Sequence, residues 1–155
     1  MRSTRGNTFL ETALVLTPVL ALLFGIIDFS MAIFVRATLQ SAVREGVRYA
    51  VTYQTSGGCQ DASIKAVVQS NAMGLVSSSA NGALIHTRYY APTDLTTEVT
   101  GAGSNAPGNV VQVSVENYQW AWVAPLLRPG GSINVNVYAA DRMEGLPGGT
   151  SPPCR

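Results

Sequence analysis

Charge is scarce in this chain of 155 residues, and its scarcity excludes several classes of function. Charged residues make up 12% of the sequence and hydrophobic residues 46%, while the formal net charge is only +1. The arginines that follow the apolar region are dispersed along the chain, so no basic stripe is present. The sequence therefore gives no reason to expect a nucleic-acid partner.

Catalytic and metal-binding patterns are also missing from the sequence. His86 is the single histidine, and neither Cys59 nor Cys154 has a second ligand at metal spacing. No nucleophile elbow accompanies the serines, and no glycine loop of the phosphate-binding kind is present. We therefore expect a protein that is not an enzyme and that takes no metal, cofactor or small-molecule substrate.

Hydrophobic residues are concentrated between residues 9 and 35. The uninterrupted run of residues 12–27 would rise about 24 Å as a helix, and its extension to residue 35 exceeds the ~30 Å of a bilayer core. This pattern predicts a transmembrane helix over residues 7–35. Within it, small side chains recur at every fourth position and predict a stripe for close helix packing: Ala13, Thr17, Ala21 and Gly25.

Two acidic residues lie in this apolar region. Glu11 is near its beginning, and a carboxylate dragged to mid-bilayer costs roughly 2.5–3.5 kcal/mol. Cleavage after Gly6 would make Asn7 a new cationic terminus, one helical turn before Glu11, and so supply a partner. Asp28 is expected near the far interface, either paired with an arginine such as Arg36 or with its carboxylate in water.

The same residues carry a family resemblance. Residues 6–11, behind the two arginines of the first five residues, resemble the leader junction of the type IV pilin superfamily. Residues 25–29 are similar to the end of the membrane helix in TadE-like proteins, which are pseudopilins of tight-adherence pilus systems. The resemblance implies that residues 1–6 are a leader removed by a prepilin peptidase. It also implies that Glu11 serves recognition and docking.

The resemblance further implies a location and partners. It indicates a single-pass inner-membrane protein with a cytoplasmic N-terminus, whose residues 36–155 form a periplasmic or extracellular domain. Such a subunit acts with other pilin or pseudopilin subunits and with the assembly platform, as a minor pilin or assembly-initiating subunit. Charge counting alone leaves the orientation open, because Arg36, Arg44 and Arg48 follow the span.

Two other interpretations of the apolar region stay open. In the first interpretation, the chain is an unprocessed single-pass anchor that displays a small binding domain on the envelope. In the second, it is a secreted protein whose signal peptide is cleaved after Ala32. An apolar core longer than the usual 7–15 residues, with Glu11 inside it, counts against the second interpretation.

Beyond the span, the pattern predicts an α+β fold. Helical spacing continues, so we expect one long helix from about Thr8 to about Tyr53, followed by a short helix with Asp61 as its N-cap. Strands are predicted at residues 83–91, 110–118 and 133–139, with a polar loop at 93–109. The long helix is expected to pack on this small antiparallel sheet of about three strands.

Two pairs of residues in the domain have open assignments. Outside the cytoplasm, Cys59 and Cys154 are expected to form a disulfide, and two free thiols are the alternative. Trp120 and Trp122 point to the same face of an extended chain. They are part of the core, of a partner-binding patch, or of an interfacial belt near the bilayer.

Overall fold

The computed structural model describes residues 5–77, 82–122, 131–146 and 151–155, with side chains from Phe9 onward. The first four residues of the predicted leader lie outside the described residues. Parts of the loop after the second helix, of the apolar connection after Tyr118, and of the chain after Gly145 also lie outside them.

The described residues form two α-helices, α1 (Arg5–Val51) and α2 (Gln60–Asn71). A short 3₁₀ helix, Gly82–Leu84, leads into the sheet. The described strands are β1 (Ile85–Ala91), β2 (Asp94–Glu98), β3 (Val110–Ala121) and β4 (Ser132–Arg142). This confirms the predicted α+β fold with a long N-terminal helix, a second short helix and an antiparallel sheet.

The chain divides into two compact units. The first unit comprises Met1–Phe34 and Gln119–Ile133, and the second comprises Val35–Tyr118 and Asn134–Arg155. Helix α1 contributes residues to both units. Its residues 9–34, here called the apolar half, and its residues 35–51, here called the domain half, are therefore described separately.

The domain half of α1 supplies one wall of the core of the second unit. Its apolar side chains recur about once per helical turn, so they lie along one face. The helix ends two residues earlier than expected, because Tyr53 takes a positive φ of 54° and its N–H donates to the Ala50 carbonyl at 3.0 Å. The buried residues of this face are Val35, Leu39, Ala42, Val43, Val47, Ala50 and Val51.

Helix α2 packs closely against α1 at Gly46. A Cβ atom added to Gly46 would lie 2.5 Å from Cγ2 of Val68, 3.6 Å from Ile64 and 3.7 Å from Val113. Real carbon atoms do not approach so closely, so only glycine fits this position. The missing side chain allows α1, α2 and β3 to meet at one point.

The sheet has the strand order β2-β1-β3-β4. Strands β1 and β3 pair antiparallel, with Ile85 opposite Val115 and Tyr89 opposite Val111. The alternation predicted for the second and third strands is confirmed, because the inward residues of β3 and β4 are buried and their outward neighbours are more exposed, except for Ser114, which is also buried. The inward side chains of β3 and β4 include Val111, Val113, Val115, Val135 and Val137.

The predicted polar loop at residues 93–109 is wrong over Asp94–Glu98, which forms strand β2. All five residues of β2 are exposed. With neither face buried, the strand has no alternation of apolar and polar residues that a sequence pattern could show. Its pairing with β1 is also irregular, because the register shifts between Tyr90 and Ala91.

The predicted N-cap of α2 is also wrong. The helix begins at Gln60, and Cys59 is the N-cap residue, with an extended backbone (φ −68°, ψ 158°). Asp61 lies in the first turn, where its carboxylate accepts hydrogen bonds from Tyr89 and Arg155 instead of capping the helix. The distant partners of Asp61 therefore override its local preference for the capping position.

Candidate membrane and assembly helix

The apolar half of α1 is long enough to cross a bilayer. Its 26 residues rise about 39 Å at 1.5 Å per residue, more than the ~30 Å hydrocarbon thickness. An 18-residue window of the helix reaches a mean hydropathy of 2.3, and only 11% of that window is buried within the protein. By length and composition, this helix is compatible with a single-pass membrane anchor.

Large apolar side chains are exposed on every side of the apolar half. Their exposed fractions range from 37% at Met31 to 76% at Phe9 and Leu14. A helix that is apolar all round normally lies in a protein core or in a membrane. These side chains include Leu10, Val15, Leu16, Val19, Leu20, Leu22, Leu23, Phe24, Ile26, Ile27, Phe29, Ile33 and Phe34.

Two hydroxyl groups in this half are satisfied within the helix. The Thr17 hydroxyl donates to the Ala13 carbonyl, and the Ser30 hydroxyl donates to the Ile26 carbonyl, each at 2.8 Å. Pro18 lies inside the helix without ending it. Such internal hydrogen bonds remove the cost of placing hydroxyl groups in hydrocarbon.

The predicted processing and docking residues lie at the start of α1. Gly6 and Asn7 are in the first helical turn, and Glu11 follows Asn7 by four residues, about one helical turn later. Glu11 is exposed and borders a shallow depression formed with Thr12, Val15, Leu16 and Val19. Within the part of the chain that the structure describes, no cation lies within ion-pair distance of Glu11.

The predicted packing stripe follows the same helix. Ala13 and Thr17 are exposed, whereas Ala21 and Gly25 are half-buried. The four-residue spacing places them along one face, as expected from helical geometry. Contact of this face with another helix stays a prediction.

The structure contradicts one of the two environments that the sequence allowed for Asp28, a carboxylate in water. Only 2% of the residue is exposed, so a carboxylate in open water is wrong. Asp28 is also engaged in an interaction and is not free.

The two tryptophans lie in the first unit and are half-buried. Their indole N–H groups are buried and have no hydrogen-bond acceptor among the described residues. This partial burial does not exclude a core role for the two rings. The choice among core, partner-binding patch and interfacial belt stays open.

His86 lies on β1, half-buried, opposite Ser114 of β3. In the described segments, no group of three or more His, Cys, Asp or Glu side chains is placed to hold a metal ion. The structure gives His86 a position on the outer side of the sheet, since Ile85 and Thr87 alternate with it and are buried.

A cluster of polar side chains surrounds the disulfide, and the sequence analysis did not predict this cluster. Cys59 and Cys154 are joined, which is the pairing expected from the sequence. The buried Gln60 amide donates to the Ala50 carbonyl at 2.8 Å, and the buried Asn105 amide donates to Gln60 Oε1 at 2.6 Å and to the Pro153 carbonyl at 2.9 Å. These contacts connect residues distant in sequence, so only the cysteine pair gave a signal for them.

Arg155 completes this cluster. Its Nε donates to Asp61 Oδ2 at 3.0 Å, and its Nη1 donates to Ser104 Oγ at 3.1 Å. The guanidinium also lies 4.9 Å from the centre of the Tyr89 ring, a cation–π distance. Burial, followed by the nearby Asp61 carboxylate, raises the pKa of the Tyr89 hydroxyl far above its ordinary value, so Tyr89 stays a hydrogen-bond donor to Asp61.

Comparison with known proteins gives a family for the N-terminal part of the chain. Residues 6–48 match the family described as TadE-like protein. No curated protein and no solved structure matches the chain. The matched segment covers Gly6, Glu11, the apolar half of α1 and most of its domain half.

This match confirms the resemblance that the sequence showed. A TadE-like segment together with one helix long and apolar enough to cross a membrane fits a pilus-related membrane protein. Over residues 6–48, the chain is therefore similar to the TadE-like family.

Proposed function

We propose that this protein is a pseudopilin or minor pilin that takes part in the assembly of a tight-adherence pilus. In this proposal, a prepilin peptidase removes residues 1–6, and the mature chain begins at Asn7. The apolar half of α1 then lies in the inner membrane with its N-terminus toward the cytoplasm. The domain of residues 36–155 faces the periplasm or the exterior.

One observation carries this proposal. The apolar half of α1 exposes large apolar side chains all round, and it begins within the TadE-like segment. Side chains of this kind need a cover, and monomeric soluble proteins rarely leave so large an apolar surface in water. Lipid before assembly and neighbouring subunit helices after assembly are the covers that the proposal assigns.

Glu11 has a specific role in this proposal. It has no cationic partner among the described residues, and it lies one helical turn after Asn7. An ammonium group and a carboxylate attract strongly in a medium of low dielectric constant, but an unpaired carboxylate there is costly. The new terminus at Asn7, of this subunit or of a neighbour, supplies the missing charge.

We also propose that the protein works by binding and not by catalysis. Its contacts are helix packing along Ala13, Thr17, Ala21 and Gly25, together with the Glu11 pair. The partners are the prepilin peptidase, other pilin-like subunits and the assembly platform. Small residues at helix interfaces permit the close approach that such packing requires in lipid.

Leader removal is tested by the intact mass of protein extracted from native membranes. We expect a mature species that begins at Asn7, and we expect Gly6→Ala to leave the leader attached. A chain that starts at Met1 in the presence of active peptidase indicates an unprocessed anchor, and a chain that starts at Ile33 indicates a secreted protein. Either of these two results contradicts the proposal.

Docking is tested separately with Glu11→Ala. We expect this variant to enter membranes normally but to co-purify with partner subunits severalfold less than the unchanged protein. Glu45→Ala is the matched control, because Glu45 is an exposed acid on the domain half of the same helix. Equal loss of partners in both variants would show that Glu11 has no special role.

A further inference from the structure

Residues 151–155, here called the strap, are tied to the second unit by more than one kind of bond. The Cys154 carbonyl accepts a hydrogen bond of 2.7 Å from the Gln60 N–H at the start of α2. The Pro153 carbonyl accepts one of 2.9 Å from the Asn105 amide. The Cys59–Cys154 disulfide adds a covalent tie between positions 95 residues apart in the chain.

The two sulfur atoms of this disulfide belong to residues with different surroundings. Cys154 is exposed, whereas Cys59 is half-buried. Both residues line a surface depression together with Asp61, Lys65 and Arg155. An external thiolate therefore approaches the bond more easily from the Cys154 side, and access is one factor that sets the rate of thiol–disulfide exchange.

The position of Cys59 favours its departure as a thiolate. Cys59 is the N-cap of α2, a helix of 12 residues, and its backbone has the extended conformation of a capping residue. A thiolate at a helix N-terminus is stabilised by the first-turn N–H groups and by the helix dipole. Asp61 is the acid in that first turn, and its charge is balanced by the ion pair with Arg155 at 3.0 Å.

We propose that the Cys59–Cys154 bond is a thiol–disulfide exchange site, attacked at Cys154 and opened with Cys59 as the leaving thiolate. The attacking thiolate of a thiol or dithiol protein forms a new S–S bond to Cys154, and the electron pair of the broken bond stays on Cys59. A second thiolate then attacks the mixed disulfide, releasing Cys154 as a thiolate and leaving the reductant as a disulfide. The reductant loses two electrons and the protein gains them.

Opening this bond releases the strap. The remaining ties are the hydrogen bonds of Gln60 and Asn105 to strap carbonyls and the contacts of Arg155. Gln60 and Asn105 are buried, with exposed fractions of 0% and 1%. When the strap leaves, water takes the place of its carbonyls at these groups, so the loop that carries Asn105 opens as well.

The experiment uses the full chain in detergent and glutathione as the thiol. The protein is treated under native conditions, quenched with acid and mapped by mass spectrometry of its peptides. We expect glutathione on Cys154 about tenfold more often than on Cys59, because both access and leaving-group stability favour that direction. Equal labelling, or labelling mainly at Cys59, overturns the proposal.

Two further measurements cover the remaining outcomes. Reduction that requires unfolding of the domain, seen as exchange only at denaturing urea concentrations, also overturns the proposal. After reduction and alkylation, hydrogen exchange should rise at residues 99–105 and 151–155, whereas β3 should keep its protection. Unchanged exchange at these two segments shows that the bond does not hold the strap and contradicts its release.

A variant separates the covalent tie from the contacts of Arg155. Arg155→Gln loses the ion pairs with Asp61 and Glu98 but keeps the disulfide. We expect it to weaken the preference for Cys154 without reversing it, since the unbalanced Asp61 charge disfavours a Cys59 thiolate while access still favours attack at Cys154. A reversal of that preference in this variant would assign the selectivity to Arg155 and overturn the role given to Cys59. All of these results are independent of leader removal.

Discussion

The two halves of helix α1 are both apolar, yet the protein covers them very differently. In the domain half, Leu39 and Val43 are both fully buried. In the apolar half, Leu22 is 66% exposed and Leu14 is 76% exposed. The difference is one of arrangement, because the domain half has a single apolar face and the apolar half has apolar side chains all round.

Charged residues follow the same division. The domain half carries Arg36, Arg44, Glu45 and Arg48, all exposed, opposite its buried face. The apolar half carries only Glu11 and Asp28. A helix that must face water on one side keeps charges there, and a helix surrounded by lipid or by other helices does not. Among the described residues, the apolar half is left largely uncovered, which is compatible with a single-pass membrane anchor.

The largest expected effect is a difference in the free energy of unfolding between two leucine variants, one in each half of α1. Leu39→Ala should lower the free energy of unfolding of the domain by about 2–5 kcal/mol, because it leaves a cavity in a closed core. Leu22→Ala should change it by less than about 0.5 kcal/mol, because an exposed side chain leaves no cavity. Urea unfolding of the detergent-solubilised protein, followed by near-UV circular dichroism, measures both. Similar losses in the two variants would break the comparison.

A charge substitution tests the apolar half. Leu22→Arg should weaken membrane insertion by about 2.5–3.5 kcal/mol, the cost of an arginine near the centre of a spanning helix. The measurement is the fraction of protein that stays with membranes after alkaline carbonate extraction. Ser41→Arg is the control, since Ser41 is exposed in the domain half and should leave that fraction unchanged. Full retention of Leu22→Arg would argue against a spanning helix.

Close packing in the domain half is tested at Gly46. Gly46→Ala should destabilise the domain by about 1–3 kcal/mol, because its Cβ would overlap Val68. Gly58→Ala is the matched control, since a Cβ at Gly58 meets nothing within 4 Å. Thermal unfolding of both variants should show a lower midpoint for Gly46→Ala alone. An unchanged midpoint would mean that α2 can move away from α1 at little cost.

The smallest expected effect is a pH dependence of the free energy of unfolding that arises in the second unit. A hydrogen bond from Arg88 lowers the pKa of Glu116 from 4.5 to about 2. Arg88 Nη2 donates to Glu116 Oε2 at 3.1 Å, and Ser114 donates to Oε1 at 2.8 Å. Because the folded pKa is the lower one, the contribution is present above about pH 4.5 and is lost as the pH falls toward 2.

The size of this contribution is limited by exposure. About a third of the Glu116 side chain is exposed, so we expect less than about 1 kcal/mol. The difference between the unchanged protein and Glu116→Gln, measured by urea unfolding between pH 5 and 3, isolates it from other acids. The difference should shrink as the pH falls. A difference that grows toward low pH would contradict the assigned pair.

Sequence patterns predicted those parts of the fold in which one face is buried. The spacing of Leu39, Val43 and Val47 predicted α1, and the alternation of Val111, Val113 and Val115 predicted β3, because burial of one face imposes a period. Two cysteines alone were enough to suggest the disulfide. The position of Glu11 in the apolar region also predicts the leader junction, which stays a prediction.

Other features were not predictable from local patterns. Strand β2 has no buried face and so no period, and the first-turn position of Asp61 depends on Tyr89 and Arg155, which are far away in sequence. Gln60 and Asn105 are buried against each other and against the strap. Contacts of this kind are set by tertiary structure, so a single sequence shows the residues without showing their meeting.

The most direct test of the account is thiol accessibility along α1 in native membranes. The two native cysteines form a disulfide, so single substitutions Leu22→Cys and Ser41→Cys introduce one free thiol each. We expect a membrane-impermeant maleimide to label Ser41→Cys readily and Leu22→Cys at least about tenfold more slowly, because a thiol in an apolar, water-free surrounding does not ionise. Equal labelling of the two positions in intact membranes would show that the apolar half lies in water and would contradict the account.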